Sequence, residues 1–304
     1  MTYNVAFQAN IGRLGINSNG TVNEYTNTYL GPLGGTSPSI AALTNGNYVV
    51  AFQANTGHLG IYGGTVDEWT DTNLGAMAGT SPSIAALTNG NYVVAFQANT
   101  GHLGIYSGTV DEWSDTNLGA MAGTSPSIAA LTNGNYVVAF QANTGHLGIY
   151  SGTVDEWSDT KLGMAPGTSP SVAALPNGKY VVAFQVNTGV LGIYSGTPDQ
   201  WTNTTLGMAP GTSPSVAAVP NGYVVAFQVN TGVLGINSNG ANQFTNTTLG
   251  MKSGTSPSIA AQPNSNYVVA FQSNIGTLGI NSNGANQYTN TTLGMMAGTR
   301  PSIA

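Results

Sequence analysis

The side chains able to do chemistry are few, and they recur at fixed places. His58, His102 and His146 are the only histidines, and each closes an Asn-Thr-Gly-His run. Adjacent carboxylates occur as Asp67-Glu68, Asp111-Glu112 and Asp155-Glu156, followed by Asp71, Asp115 and Asp159. Paired carboxylates could serve acid–base catalysis, but neighbours on an extended strand point to opposite sides and do not face one bond. The simpler reading is solvated charge on outer strands. One histidine per repeat does not build one coordination sphere, and the absence of cysteine removes thiolate ligands and disulfides. No Gly-x-Ser-x-Gly elbow, phosphate loop or calcium-loop spacing is present. Ser107-Gly108-Thr109-Val110-Asp111 has the wrong order for a sialidase-type aspartate box. No catalytic residue, metal or cofactor is therefore expected.

What every unit repeats is polar and uncharged. Phe-Gln-x-Asn brings Gln8, Gln53, Gln97, Gln141, Gln185, Gln228 and Gln272, each with an asparagine two residues on, of which Asn55, Asn99, Asn143 and Asn187 are the candidates. One aromatic stands at an equivalent position of each unit: Tyr25, Trp69, Trp113, Trp157, Trp201, Phe244 and Tyr288. Amides, hydroxyls, the three histidines and an aromatic face suit a neutral, hydroxyl-rich ligand such as a sugar. These residues are the candidate sugar-binding set. Each has a structural alternative: glutamine satisfying backbone groups between repeats, asparagine forming a turn, tryptophan packing in the core.

The elements that must position them follow from the repeat. Ser-Pro-Ser begins at Ser37, Ser81, Ser125, Ser169, Ser213 and Ser256, and Arg300-Pro301-Ser302 is a variant of it. Residues 37–80 and 81–124 differ only at Gly63/Ser107 and Thr70/Ser114. Within one unit, Ser39 to Leu43, Tyr48 to Gln53, Leu59 to Tyr62 and a run starting at Val66 are short apolar segments. Asn45-Gly46, Asn55-Thr56-Gly57 and Gly63-Gly64 separate them, the first read as a tight turn with both residues at φ > 0. No helical period is visible, and the second run is apolar on both faces, as in a sheet packed between two others. Four strands repeated seven times over the chain predict an all-β, seven-bladed propeller, residues 1–304 forming one domain. The chain opens on a second strand (Tyr3 to Gln8) and closes on a first (Pro301 to Ala304). The two ends are expected to share one blade, and the small Ser39, Ala41 and Ala42 to lie nearest the axis.

Composition excludes several classes. Only 5% of residues are charged and the net charge is −6, which disfavours nucleic-acid binding. No apolar run is long enough to span a bilayer, and the first residues do not read as a signal peptide. A soluble protein, cytoplasmic or non-classically secreted, is the expectation. The sequons at Asn203, Asn246 and Asn290 read as ordinary Asn/Thr-rich strand sequence.

Val50-Ala51-Phe52-Gln53-Ala54-Asn55-Thr56-Gly57-His58-Leu59 resembles the blade signature of bacterial propeller lectins of the Photorhabdus type. Glu68-Trp69 with Leu74-Gly75, and Ser81-Pro82, are similar to their Trp-x-x-Leu-Gly and Ser-Pro-Ala segments. Gly60 stands where that family has Trp, and Gln53 near where it often has Arg. The resemblance, shared with tachylectin-like propellers, implies monosaccharide binding in grooves between blades and no catalytic centre. The expected partners are mono- or oligosaccharides and glycoconjugates; a protein-interaction scaffold is the alternative.

Overall fold

A computed structural model describes residues 3–63, 68–108, 112–152, 156–196 and 199–304 of the chain. Its strands form seven four-stranded antiparallel sheets, each ordered sequentially except the one that joins the two ends of the chain. There Val5 pairs with Ile303 and Ala6 with Ser302. The Asn4 N–H donates to the Ala304 carbonyl at 2.8 Å, and the Asn4 carbonyl accepts the Ala304 N–H at 3.0 Å. The ring is thus closed by strand pairing. We number the blades from the one that carries the N-terminus.

Blade 2 shows the plan, with strands Ser39–Ala42, Tyr48–Gln53, His58–Gly63 and Glu68–Gly75. Alternation along the second strand sends Val50 and Phe52 against blade 1 and Val49 and Ala51 against blade 3. The seven apolar clusters follow this rule, each drawn from two adjacent blades. A blade's core is therefore half its neighbour's. The isolated unit 81–124 is expected to be an unfolded monomer, because neither apolar face of its second strand would be covered. Circular dichroism with sedimentation checks this; a folded monomer would contradict it.

The first turn differs from the expected pair of positive φ angles. Leu43 and Asn47 bond across a three-residue loop, and only Gly46 takes the left-handed conformation, at φ +85°. Asn45 instead uses its side-chain oxygen to accept the Asn47 N–H at 3.0 Å. With three residues rather than two to span, one left-handed glycine suffices. Val66, the expected start of the fourth run, and Asp67, Asp111 and Asp155 of the carboxylate pairs lie outside the described residues.

The small first strands do line the axis, and Ser-Pro-Ser is joinery there. The Ser39 hydroxyl accepts the Ile84 N–H of the next blade at 3.1 Å. Ser83, Ser127, Ser171, Ser215, Ser258 and Ser302 repeat the bond around the ring, ending with Ser302 and the Ile40 N–H. A first strand only four residues long gains a side-chain bond to its neighbour in this way.

Candidate functional site

The repeated glutamines are inside. All seven are at most 1% exposed. Gln97 Nε2 donates to the Ala120 carbonyl at 2.8 Å, and its backbone carbonyl accepts the N–H of Met77, in the connector from the preceding blade, at 2.8 Å. Gln53 likewise reaches the Ala76 carbonyl at 2.7 Å, and Gln8, Gln141, Gln185, Gln228 and Gln272 make the corresponding bond. Each glutamine therefore ties the end of its second strand to the connector that leads into the following blade. Their amide nitrogens serve the backbone, and the structural alternative accounts for their repetition.

Asn55, Asn99 and Asn143 are exposed at the mouth of the turn between the second and third strands. The Asn99 N–H donates to the carbonyl of Gly75 in the preceding blade at 3.0 Å. A Cβ on Gly75 would lie 2.3 Å from Asn99 Nδ2, so only glycine lets the amide rest on that blade. Asn143 on Gly119 and Asn187 on Gly163 repeat the contact.

Beside these amides the three histidines meet aspartates. His58 Nδ1 lies 2.9 Å from Asp71 Oδ1, His102 Nδ1 2.9 Å from Asp115 Oδ1, and His146 Nδ1 3.0 Å from Asp159 Oδ1. A register shift between His58 and Gly60 marks a bulge that turns Asp71 toward the histidine. Asp71 also accepts the Asn73 N–H at 2.9 Å, with Asn73 at φ +57°, and the Thr56 hydroxyl at 3.3 Å. The aspartates are histidine partners and not the merely solvated strand charges that their sequence context suggests. The only signal was their common offset from the histidine, thirteen residues in each repeat.

Partial burial raises the Asp71 and Asp115 carboxyls, but the backbone N–H, histidine and threonine hydrogen bonds outweigh it and hold both below the usual range. At Asp159, desolvation is opposed by Lys161, whose Nζ stands 2.9 Å away and whose N–H also donates, and by His146; the carboxyl falls to about 2. A lowered folded-state value contributes stability that is complete above the unfolded carboxyl range and is lost as pH falls from about 4 toward 2. NMR titration is expected to give Asp159 a midpoint near 2. Asp159→Asn should flatten the acid limb of the stability profile; an unchanged limb would remove the bonds from the account.

The aromatics sit at the other end of the same outer strand pair. Trp69 pairs with Tyr62, whereas His58 pairs with Gly75. Four residues of strand separate the two ends, about 13 Å at ordinary rise. Trp69, Trp113 and Trp157 each lie against the phenylalanine of their own second strand, at ring-centroid distances of 5.9, 6.2 and 6.3 Å. The third-strand glycine makes this possible: a Cβ on Gly60 would come within 2.7 Å of Phe52. At Gly15 it would meet both Phe7 and Tyr25 at 2.8 Å. Glycine next to a cross-strand aromatic is thus a packing solution, with the ring filling the space that a side chain would take. One face of each indole is covered and the rest is open, at 40–43% exposure for Trp69, Trp113 and Trp157. Trp201 is 44% exposed, while Tyr25, Phe244 and Tyr288 are half-buried.

The blades fall into kinds. Blades 2, 3 and 4 have the full set of Asn, Thr, His, Asp and Trp. Blade 5 keeps Trp201 but has Val190 and Asn203 for the His–Asp pair, and blade 6 has Val233 and Asn246. In blades 1, 6 and 7, buried Asn17, Asn237 and Asn281 replace the third-strand tyrosine. Asn237 Nδ2 donates to the Ala241 and Gln243 carbonyls at 2.6 and 2.9 Å, and its Oδ1 accepts the Gly240 N–H. The shaped loop reaches the preceding blade, where the Thr205 N–H donates to Asn242 at 3.2 Å. Among the described residues no group of three His, Cys, Asp or Glu converges, and no helix is long and apolar enough to cross a membrane.

No family model and no curated protein matches the chain. Solved structures do. AofleA from Arthrobotrys oligospora is 13% identical with a TM-score of 0.61, covering 88% of each chain. The chain shares the fold of propeller lectins. An Aleuria aurantia lectin solved with Fucα1-6GlcNAc is 14% identical, with a TM-score of 0.56 over 81% of this chain and 91% of that one. SapL1 lectin in complex with α-methyl fucoside is 13% identical, with a TM-score of 0.58 over 89% and 98%. The Aleuria lectin is described as six-bladed, so a seven-bladed ring overlaps it only in part. The finer likeness to Photorhabdus-type lectins rests on the blade motifs alone.

Proposed function

We propose that this chain is a multivalent carbohydrate-binding protein without catalytic activity, acting as one domain, with its best sites in the grooves of blades 2, 3 and 4. The observation that carries it is the open indole face of Trp69, Trp113 and Trp157, each on an outer strand pair whose other end holds a His–Asp pair, joined by a threonine hydroxyl in blades 2 and 3 and by Lys161 in blade 4. An aromatic plane covers the apolar side of a sugar ring, while imidazole, carboxylate and amide groups bond its hydroxyls. The contact set is Asn55, His58, Asp71 and Trp69 and their equivalents in blades 3 and 4. The buried glutamines are left out of it. The lectin neighbours solved with fucosides support the reading and supply the first probe.

Calorimetric titration with α-methyl fucoside, followed by a glycan array, tests the proposal. Three equivalent weak sites are expected, one per full blade, with avidity on multivalent glycans exceeding the single-site affinity. Binding of an uncharged sugar should change little as salt rises, because the ligand brings no charge to be screened. Failure to bind any neutral sugar on the array would overturn the proposal; steep salt dependence would exclude the neutral mechanism.

A further inference from the structure

The ring axis holds a second belt of serines, and it is broken once. The Ser37 N–H donates to the Ser81 hydroxyl at 2.9 Å, and Ser81 to Ser125, Ser125 to Ser169, Ser169 to Ser213 and Ser213 to Ser256 follow at the same distance. The seventh position is Arg300, whose N–H donates to the Ser37 hydroxyl at 3.0 Å. Arg300 has no hydroxyl to offer in return, so the Ser256 N–H lacks the acceptor that its five counterparts have.

Two further observations meet at this break. Each belt serine uses its oxygen to accept, which leaves its own O–H to donate, and none donates to another described residue. These six serines and Arg300 line one axial cavity of about 120 Å³, and Arg300 also lines an adjoining one of about 100 Å³ bounded by the prolines. The Arg300 guanidinium makes no ion pair or hydrogen bond with any described residue. Arg300 is half-buried, and desolvation draws its pKa below the ordinary value.

We propose that the axial cavity is an oxyanion site, taking one inorganic sulfate or phosphate per chain. A guanidinium matches two oxygens of a tetrahedral oxyanion in a planar fork. Serine hydroxyls and the Ser256 N–H supply donors to the remaining oxygens. The small cavity volumes fit a free ion, and the site is independent of the blade grooves.

The test uses sulfate and phosphate titrated by calorimetry into the whole chain at constant ionic strength. Arg300→Ser restores the serine present at the six other positions and gives the Ser256 N–H an acceptor, so it should fold with an anion-free Tm at least as high. Wild type is expected to bind one anion per chain, and Arg300→Ser at least tenfold more weakly. Arg300→Lys, which keeps the charge but loses the fork, should fall between them. The anion should also raise the wild-type Tm more than that of Arg300→Ser. Equal increments would mean that sulfate acts only through bulk exclusion from the surface, and would overturn the site. Equal affinity in wild type and Arg300→Ser, or no saturable binding in wild type, would also overturn it.

Discussion

Phe96→Ala is expected to destabilise the ring by about 3–5 kcal/mol, the range for emptying a fully buried phenylalanine site. Phe96 is 1% exposed and packs with Ala41, Val49 and Leu59 of the preceding blade as well as with its own sheet. Collapse around the cavity is limited because both walls are paired backbone, and Gly104, on the adjacent third strand, has no side chain to move in. The loss should appear as a shift of one cooperative transition, since every apolar cluster spans two blades. The same substitution removes the floor beneath Trp113, 6.2 Å away between ring centroids. Below the new Tm, binding should therefore fall at blade 3 while the grooves of blades 2 and 4 persist. Thermal melts and site counts on the one variant check both halves. A separate low-temperature transition would show that the blade unfolds alone and would contradict the shared-core account.

The ring was legible in the sequence because its causes are local and periodic. A second strand apolar on both faces requires a sheet on either side, and the pairing of Val5 with Ile303 closes the ring. The Gln and Ser positions were legible as repeated but not in purpose. A side chain that bonds a backbone carbonyl 23 residues away, as Gln97 does with Ala120, leaves no pattern distinguishing it from a ligand contact. The same ambiguity hid Gly60: loss of an aromatic in the third strand has meaning only once Trp69 is seen to pack beside it on Phe52. His58 and Asp71 meet because a bulge turns the carboxylate, and spacing alone does not announce a bulge. The Asn-for-Tyr exchange at Asn237 and Asn281 marked different blades; burial of the amide under its own loop shows why they differ.

Trp69→Ala, Trp113→Ala and Trp157→Ala, introduced one after another, should lower the number of calorimetric sites from three to none. At each step the remaining sites should keep their affinity, because every groove is built from its own outer strand and one neighbour. Removal of a central aromatic anchor costs at least about 2 kcal/mol of binding, roughly thirtyfold, which takes a weak site beyond detection. The stability loss per substitution should fall short of that for Phe96→Ala, since each indole is already 40–43% exposed and the phenylalanine beneath it remains. Trp201→Ala is the discriminating control. Blade 5 presents an equally open indole, 44% exposed, but has Val190 and Asn203 where the full blades have histidine and aspartate. If recognition needs both ends of the groove, Trp201→Ala leaves the site count at three. A fall in the count would show that the indole alone makes a site and would remove the His–Asp pair from the binding set. Three sites surviving in the triple variant would remove the tryptophans instead.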